Sequence, residues 1–472
     1  MKHRLALLTP RTIIKALLLF LLVLYVLALT VPYIPHKRVS GEYQARAEAQ
    51  TFLGSGPGAE RVAYIDNNMD ALLCRLNLIE RAKEEIILST FDFNEDDGGR
   101  DVLAALLQAA RRGVRVRVIV DGLSGFLDVR RGSAFEVLAA QENVELRIYN
   151  PVNFLQPWKL QARLHDKYLI ADRERYLLGG RNTMDLFLGD YSDTPNIDRE
   201  LLVWETEQDE DASLWQLLDY FEQVWPLGSP FTAREDWKGR AEGEQALEER
   251  YPALKERYPE AFLPWDWETY TFETNRISLL HNPVHAGNKE PWLWHSFRNI
   301  LEQGEEAVIY TPYIICGKEM YQDITALTEG GLQLEVITND PASGANPWGC
   351  TDYLNQKEKI WDAGVQIYEY MGAHSCHTKA AVVDDRLSLV GSYNLDMRST
   401  YQDTELMLVV DSTELNTRIR AEIERDKTSS KTAGADGEYI YGENYVPREL
   451  STGKQIFYGI LRVLTVPLRR FL

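Results

Sequence analysis

Hydrophobic and polar positions divide the chain into three kinds of segment. The first, "IIKALLLFLLVLYVLALTV" from Ile13 to Val31, has only Lys15 and Thr30 as clearly polar residues. Its length approaches the roughly 20 residues a helix needs to cross a bilayer. A cleaved signal peptide has a shorter apolar core and a small-x-small site just after it. Here Pro32-Tyr33-Ile34-Pro35 follows, and Ala45-Arg46-Ala47 and Ala47-Glu48-Ala49 lie too far downstream. The pattern predicts an uncleaved N-terminal membrane anchor over 1–40 and a linker over 41–70.

The second kind is a set of short strand-like runs, each followed by a helical stretch, and the set occurs twice. "EEIILSTFDF" at Glu84–Phe93 resembles "EEAVIYTPYI" at Glu305–Ile314. "GVRVRVIVDG" from Gly113 answers to "GLQLEVITND" from Gly331, and "VELRIYN" from Val144 to "VQIYEY" from Val365. A repeat of roughly 150 residues is too long for a solenoid unit and suits a duplicated α/β domain. The expected layout is an α/β domain over 71–229, a connector over 230–275, a second α/β domain over 276–425, and a linker with an amphipathic tail over 426–472. The connector is charged and carries Trp237, Trp265 and Trp267, which read as a brace between the halves. Gly, Ser, Thr and charged residues dominate Asp426 to Asn444, the composition of a mobile linker.

The third kind is the tail, "KQIFYGILRVLTVPLRRFL". Ile456, Phe457, Ile460, Leu461 and Leu464 recur at helical spacing beside Arg462, Arg469 and Arg470. Such a helix docks on the protein's own core or lies in a lipid interface.

Composition narrows the function. At 472 residues, with 45% hydrophobic and 26% charged residues, the chain is a folded protein with more than one core. A net charge of −20 argues against nucleic acid as a partner, since phosphate-backbone binding shows as basic stripes or domains. Basic ends around an acidic middle fit a membrane-tethered protein. Lys2, Arg4, Arg11 and Lys15 precede the apolar run and Lys37, Arg38 and Arg46 follow it, a small bias toward a cytoplasmic N-terminus and an outward-facing body. The four cysteines form no CxxC pair, and Cys350, His374, Cys376 and His377 match no zinc module.

The chemistry is concentrated in two stretches. "HDKYLIADRERYLLGGRN" runs from His165 to Asn182 and "HTKAAVVDDRLSLVGSYN" from His377 to Asn394. Lys167 and Asp172 stand two and seven residues after His165; Lys379 and Asp384 keep the same offsets from His377. Asn182 and Asn394 each follow their histidine by 17 residues. Side chains at i and i+2 of a strand share a face, so each histidine projects with its lysine. The Asp-rich turns reverse the chain, and the return strand delivers each asparagine beside its histidine. Gly179, Gly180 and Gly391 are expected to let backbone approach a bound group. Histidine, ammonium and carboxamide on one side suit a phosphodiester, whose anionic oxygens need cations and donors in the transition state. One half offers one histidine; two halves offer a nucleophile and a general acid, with no metal required.

His-x-Lys-x4-Asp twice, each followed by Gly-Gly/Ser-x-Asn, resembles the phospholipase D superfamily. "GGRNTMD" and "GSYNLDMRS" beside an apolar anchor are most similar to its bacterial cardiolipin synthase branch. The likeness covers roughly Ala71 to Ser412. It implies two phospholipase D-like α/β domains related by a pseudo-twofold, with the active site on their interface. It further implies His165 as nucleophile, catalytic His377, Lys167, Lys379, Asp172 and Asp384, and Asn182 and Asn394 on the substrate phosphate. The acids that orient the histidines match Glu200 in "DREL" and Glu405 in "DTEL" by position. The implied reaction moves a phosphatidyl group from phosphatidylglycerol or phosphatidylethanolamine to phosphatidylglycerol at the bacterial inner membrane, with no cofactor; phospholipase D-type hydrolysis is the alternative, and a nuclease a more distant one. Arg181 stands where relatives often carry a small residue, as a phosphate contact or a determinant of headgroup preference.

Overall fold

The computed structural model describes residues 9–235, 237–434 and 437–472. Its architecture is two mixed α/β halves, each built on one sheet. In the first half the strands are β1 (Glu60–Ile65), β2 (Glu85–Thr90), β3 (Arg115–Asp121), β4 (Val144–Tyr149), β5 (Tyr168–Ala171), β6 (Arg175–Gly179), β7 (Glu200–Glu205), β8 (Gly228–Phe231) and β9 (Phe272–Glu273). The second half has β10 (Arg276–His281), β11 (Glu306–Tyr310), β12 (Gln333–Asn339), β13 (Gln366–Tyr370), β14 (Ala380–Val383), β15 (Leu387–Gly391), β16 (Leu406–Asp411), β17 (Ser430–Ala433) and β18 (Tyr439–Tyr441).

The sheet orders are β8-β4-β3-β2-β5-β6-β7-β1-β9 and β10-β16-β15-β14-β11-β12-β13-β17-β18. Reading the second backwards superposes the duplication. Three parallel strands (β2, β3, β4 and β11, β12, β13) continue into an antiparallel hairpin (β5–β6 and β14–β15), then β7 or β16, then β1 or β10.

The period-2 alternation of the hairpin strands shows how the sheets pack. Leu169 and Ala171 point to the helices of the first half, Tyr168 and Ile170 to the opposite face; Ala381 and Val383 likewise separate from Ala380 and Val382. The two inward faces share one core with the helices Ser213–Val224 and Thr413–Thr428. The halves are therefore fused through an apolar seam, and the motif hairpins lie beside it.

Several boundaries differ from the sequence expectation. Residues 41–70 do not form a free linker: Phe52 enters the second half's core, Tyr43 stacks on Trp292 at 4.6 Å, and β1 belongs to the first sheet. The connector packs mainly on the first half, through Leu247, Leu254, Trp265, Trp267 and an Arg250 Nε–Asp101 hydrogen bond of 2.5 Å, before β9 closes that sheet's edge; its last residues reach the second half, where Asn275 N donates to Asp411 O at 2.8 Å and Arg418 lies over the Phe272 ring at 4.4 Å. The stretch after Asp426, expected to be mobile, continues a helix to Thr428 and then pairs β17 with β13 and β18 with β17, among its described residues. Backbone pairing at an open sheet edge outweighs the loop-like composition there.

The N-terminal apolar run forms one helix, Pro10–Thr30, capped by Thr9 and long and apolar enough to cross a membrane. The C-terminal helix Thr452–Leu468 docks through Tyr458, Leu461 and Thr465 and leaves Ile456, Ile460 and Val463 exposed.

Candidate active site

Each histidine directly precedes its hairpin and is placed by a short bridge to the other half. Leu164 pairs with Thr404, and Ile197 with Cys376, as isolated parallel bridges. Thr404 N donates to Arg163 O at 3.0 Å and His165 N to Thr404 Oγ1 at 3.1 Å. In the mirrored position Ile197 N donates to Ser375 O at 2.9 Å and His377 N to Ile197 O at 2.7 Å. A bridge of this kind sets a histidine of one half beside the residue after the bridge in the other half.

Those residues are acids. His165 Nδ1 lies 2.8 Å from Glu405 Oε1, and His377 Nδ1 lies 2.7 Å from Asp198 Oδ2. Each ring is thus held by a carboxylate from the opposite half. Glu405 stands where the sequence reading places it; Glu200 does not. Its oxygens take a bidentate pair from Arg75 at 2.6 and 2.7 Å, with Arg181 at 3.7 Å, so Asp198 is the acid on His377. The physical reason lies in the return strands. A Cβ at Gly180 would collide with the Asp198 carboxylate, so glycine makes room for that acid. The corresponding Ser392 instead donates Oγ–H to Glu405 Oε2 at 2.5 Å, and Ser399 donates to Glu405 Oε1 at 2.6 Å. Gly179 and Gly391 likewise admit the neighbouring strands, at Glu200 and Leu406, rather than a bound group.

The lysines lie against their histidines. Lys167 Nζ donates to His165 O at 2.6 Å; Lys379 Nζ is 2.7 and 3.0 Å from the two ring nitrogens of His377 and also donates to His377 O. Burial lowers Lys167 to about 7 and Lys379 to about 8. Burial and Lys167 push His165 well below the ordinary imidazole range, and burial and Lys379 push His377 to about 3. Burial lifts Glu405 to about 8 against the pull of Lys167 and the two serine hydroxyls. At Asp198, burial is outweighed by Lys379 and the His377 bond, which hold the carboxyl below its usual range.

Asn182 and Asn394 are nearly buried at the same place. Asn182 Oδ1 accepts weakly from Asp92 N at 3.4 Å, and Asn394 Oδ1 has no hydrogen-bond partner. Phe91 meets the His165 ring edge-on at 5.3 Å and Phe187 meets His377 at 4.9 Å. Sequence reasoning missed Asp198, Phe91 and Phe187. The only signal for Asp198 was a second acid in "DREL".

Asp172 and Asp384 sit at the far end of the hairpins, outside the histidine cluster. Both adopt positive φ, at 54° and 48°. Asp172 accepts from the backbone N–H of Lys83, Glu84 and Glu85, and Asp384 from those of Glu305 and Glu306. They tie the turn to β2 and β11 and so organise the hairpin, apart from the histidine cluster with which the motif groups them. Arg181 is buried, and its guanidinium is taken up by Ile65 O, Asn68 Oδ1 and Asp198 O.

A family model described as "Cardiolipin synthase, PLD-like domain" matches residues 76–225 and 297–427, more than half the chain. The chain belongs to the phospholipase D superfamily, in its cardiolipin synthase branch. Within that superfamily it is 25% identical to cardiolipin synthase C of Escherichia coli K12, over 75% of this chain and 82% of that one. It is 28% identical to cardiolipin synthase B of Salmonella typhi, over 72% and 74%. The crystal structure of phosphatidylserine synthase from Haemophilus influenzae Rd KW20 matches the fold with a TM-score of 0.62 at 14% identity, over 91% of this chain and 99% of that one. This phospholipase D fold is duplicated in the two matched segments, and the site described above lies on the seam between them.

Proposed function

We propose that the protein is a membrane-anchored phosphatidyltransferase that makes cardiolipin, moving a phosphatidyl group to the free alcohol of phosphatidylglycerol through a phosphohistidine. The observation that carries this reading is the pair of histidines on the seam, each held at Nδ1 by an acid of the other half, so that Nε2 is the atom each ring turns to chemistry, with Lys379 Nζ 3.0 Å from that of His377.

His165 is the nucleophile. Its Nε2 attacks the phosphorus of the donor lipid, phosphatidylglycerol or phosphatidylethanolamine, forming the P–N bond as the bond to the headgroup oxygen breaks. His377 gives that oxygen its proton. Asp198 supports this role because a firmly ionised carboxylate favours a second proton on its imidazole, more than Glu405 does. The bound phosphodiester anion raises the affinity of both rings for protons. In the return step His377 takes the proton of the acceptor alcohol, whose oxygen attacks phosphorus and releases His165. Lys167, Lys379, Asn182 and Asn394 neutralise and hold the phosphate oxygens.

The helix Pro10–Thr30 crosses the bacterial inner membrane once, with the body on the outer side. Expression in a host lacking cardiolipin, followed by lipid analysis, tests the reading. New cardiolipin is expected with phosphatidic acid minor; phosphatidic acid dominating despite abundant acceptor lipid establishes a hydrolase instead.

A further inference from the structure

The exit of the N-terminal helix is fastened to the catalytic body. Tyr33, fully buried, donates its hydroxyl to Trp158 O at 2.7 Å, and Asn288 Nδ2 donates to Pro32 O at 3.2 Å and Pro35 O at 2.7 Å. Arg470, at the other end of the chain, donates to Tyr33 O at 2.5 Å. The body can therefore not swing away from the point where the helix ends.

What it presents there is apolar. Leu155 is 86% exposed, Phe154 61% and Trp158 46%. Leu123, Phe126 and Leu127 on the neighbouring helical turn 122–129 are also exposed, and Phe126 meets Phe154 edge-on at 6.2 Å. This helical turn and the 154–158 loop follow the C-terminal ends of the parallel strands β3 and β4, the edge at which α/β sheets take ligands. Asp121 at the end of β3 accepts from Leu164 N at 2.8 Å, next to His165. The C-terminal helix, shortly before the Arg470 that bonds Tyr33 O, leaves Ile456, Ile460 and Val463 exposed. Apolar surface gathered in this way marks an interaction site.

We propose that the short helical turn at 123–127 and the loop 154–158, with the outer face of the C-terminal helix, form a second membrane contact that inserts into the lipid interface and sets the rim of the active site at headgroup level. The proposal rests on the reading of Pro10–Thr30 as a membrane span and extends it to surfaces outside that helix. Continuity selects lipid as the occupant, because the Tyr33–Trp158 bond puts the apolar tip within a side chain's length of the bilayer exit. Charge agrees: Arg130, Arg131 and Lys159 flank the tip exposed, against the single half-buried acid Asp128, in a chain of net charge −20, and anionic headgroups attract such a basic fringe. An apolar tip ringed by cations is the arrangement of a lipid-inserting surface.

The test uses full-length protein in vesicles of phosphatidylethanolamine and phosphatidylglycerol. The four native cysteines are buried, so a polarity-sensitive fluorophore attaches to an introduced thiol. Leu155→Cys is expected to show a blue shift and quenching by spin-labelled acyl chains, Val23→Cys in the span to show both, and Asp209→Cys on the exposed far loop to show neither. Quenching at Val23 without quenching at Leu155 overturns this proposal and leaves the span intact; no quenching at either overturns both. A blue shift at Leu155 without acyl-chain quenching assigns the patch to a second protein copy and overturns the lipid contact. Phe154→Asp combined with Leu155→Asp should slow turnover on vesicles roughly tenfold and leave turnover of monomeric short-chain phosphatidylglycerol unchanged. Equal rates on vesicles, or an equal fall on both substrates, also overturn it.

Discussion

In the first half the chain returns from its hairpin through Gly180, and in the second through Ser392; the two environments diverge from that point. The glycine leaves a space that the Asp198 carboxylate fills, beside Lys379 and His377. The serine occupies the equivalent space and donates to Glu405, which Ser399 also supports. Glu200, the positional counterpart of Glu405, is taken by Arg75. Both edge-on aromatic rings, Phe91 and Phe187, come from the first half. Duplication thus preserves the histidine, lysine and asparagine of each half while the supporting acids differ. Asp198 is held below the usual carboxylate range and burial lifts Glu405 to about 8, a difference suited to two histidines with unequal tasks.

The severest way to break the comparison is to remove either histidine. His165→Ala and His377→Ala should each lower lipid transfer by about 10⁴-fold or more with an unchanged melting temperature, because nucleophile and acid serve one sequence of steps. Locating trapped phosphate by mass spectrometry decides the roles; label on His377 reverses them.

Next come the two acids of "DREL". Asp198→Asn should cut kcat by roughly 10²–10⁴-fold with little change in folding, as the ring loses its ionised partner. Glu200→Gln should instead cost about 3 kcal/mol of stability in a denaturant titration, because it strands the buried Arg75. If Glu200→Gln damages kcat and spares stability, the assignment by sequence position is restored.

The lysines sharpen the contrast through pH. Burial lowers both below the ordinary lysine value, so each is charged below its shifted pKa and loses its proton as pH rises through about 7 for Lys167 and about 8 for Lys379. The kcat/KM of the free enzyme should fall across that window. Lys167→Arg stays charged and should remove the lower step; a profile indifferent to both arginine substitutions would take the lysines out of the reaction.

A smaller effect is expected where the halves are most alike. Asp172→Asn and Asp384→Asn should each cost about 1–2 kcal/mol of stability by weakening acceptance from strand N–H groups, with kcat per folded molecule unchanged. The smallest effect is expected from excess chelator, which should leave activity intact if lysine and asparagine carry the phosphate charge. Loss restored by one divalent ion would refute that account.

The repeated strand order, the His-x-Lys pairs and the apolar N-terminal run follow from periodicity and spacing, which are local properties, and these were legible in the sequence. So was the paired α/β class, because two matching sets of runs imply two matching sheets. Tertiary structure alone decided which acid meets which histidine. Asp198 and Glu200 are two residues apart and equally eligible by pattern; Arg75, more than a hundred residues earlier, removes one of them. It also decided that the acids cross between halves, since that depends on the Leu164–Thr404 and Ile197–Cys376 bridges. The tail and the Phe154–Trp158 loop make the same point. Apolar residues at the right period say that a face will be covered, but only the tertiary structure shows that the tail docks through Tyr458, Leu461 and Thr465, and that Tyr33 bonds Trp158 beside the exposed Phe154 and Leu155.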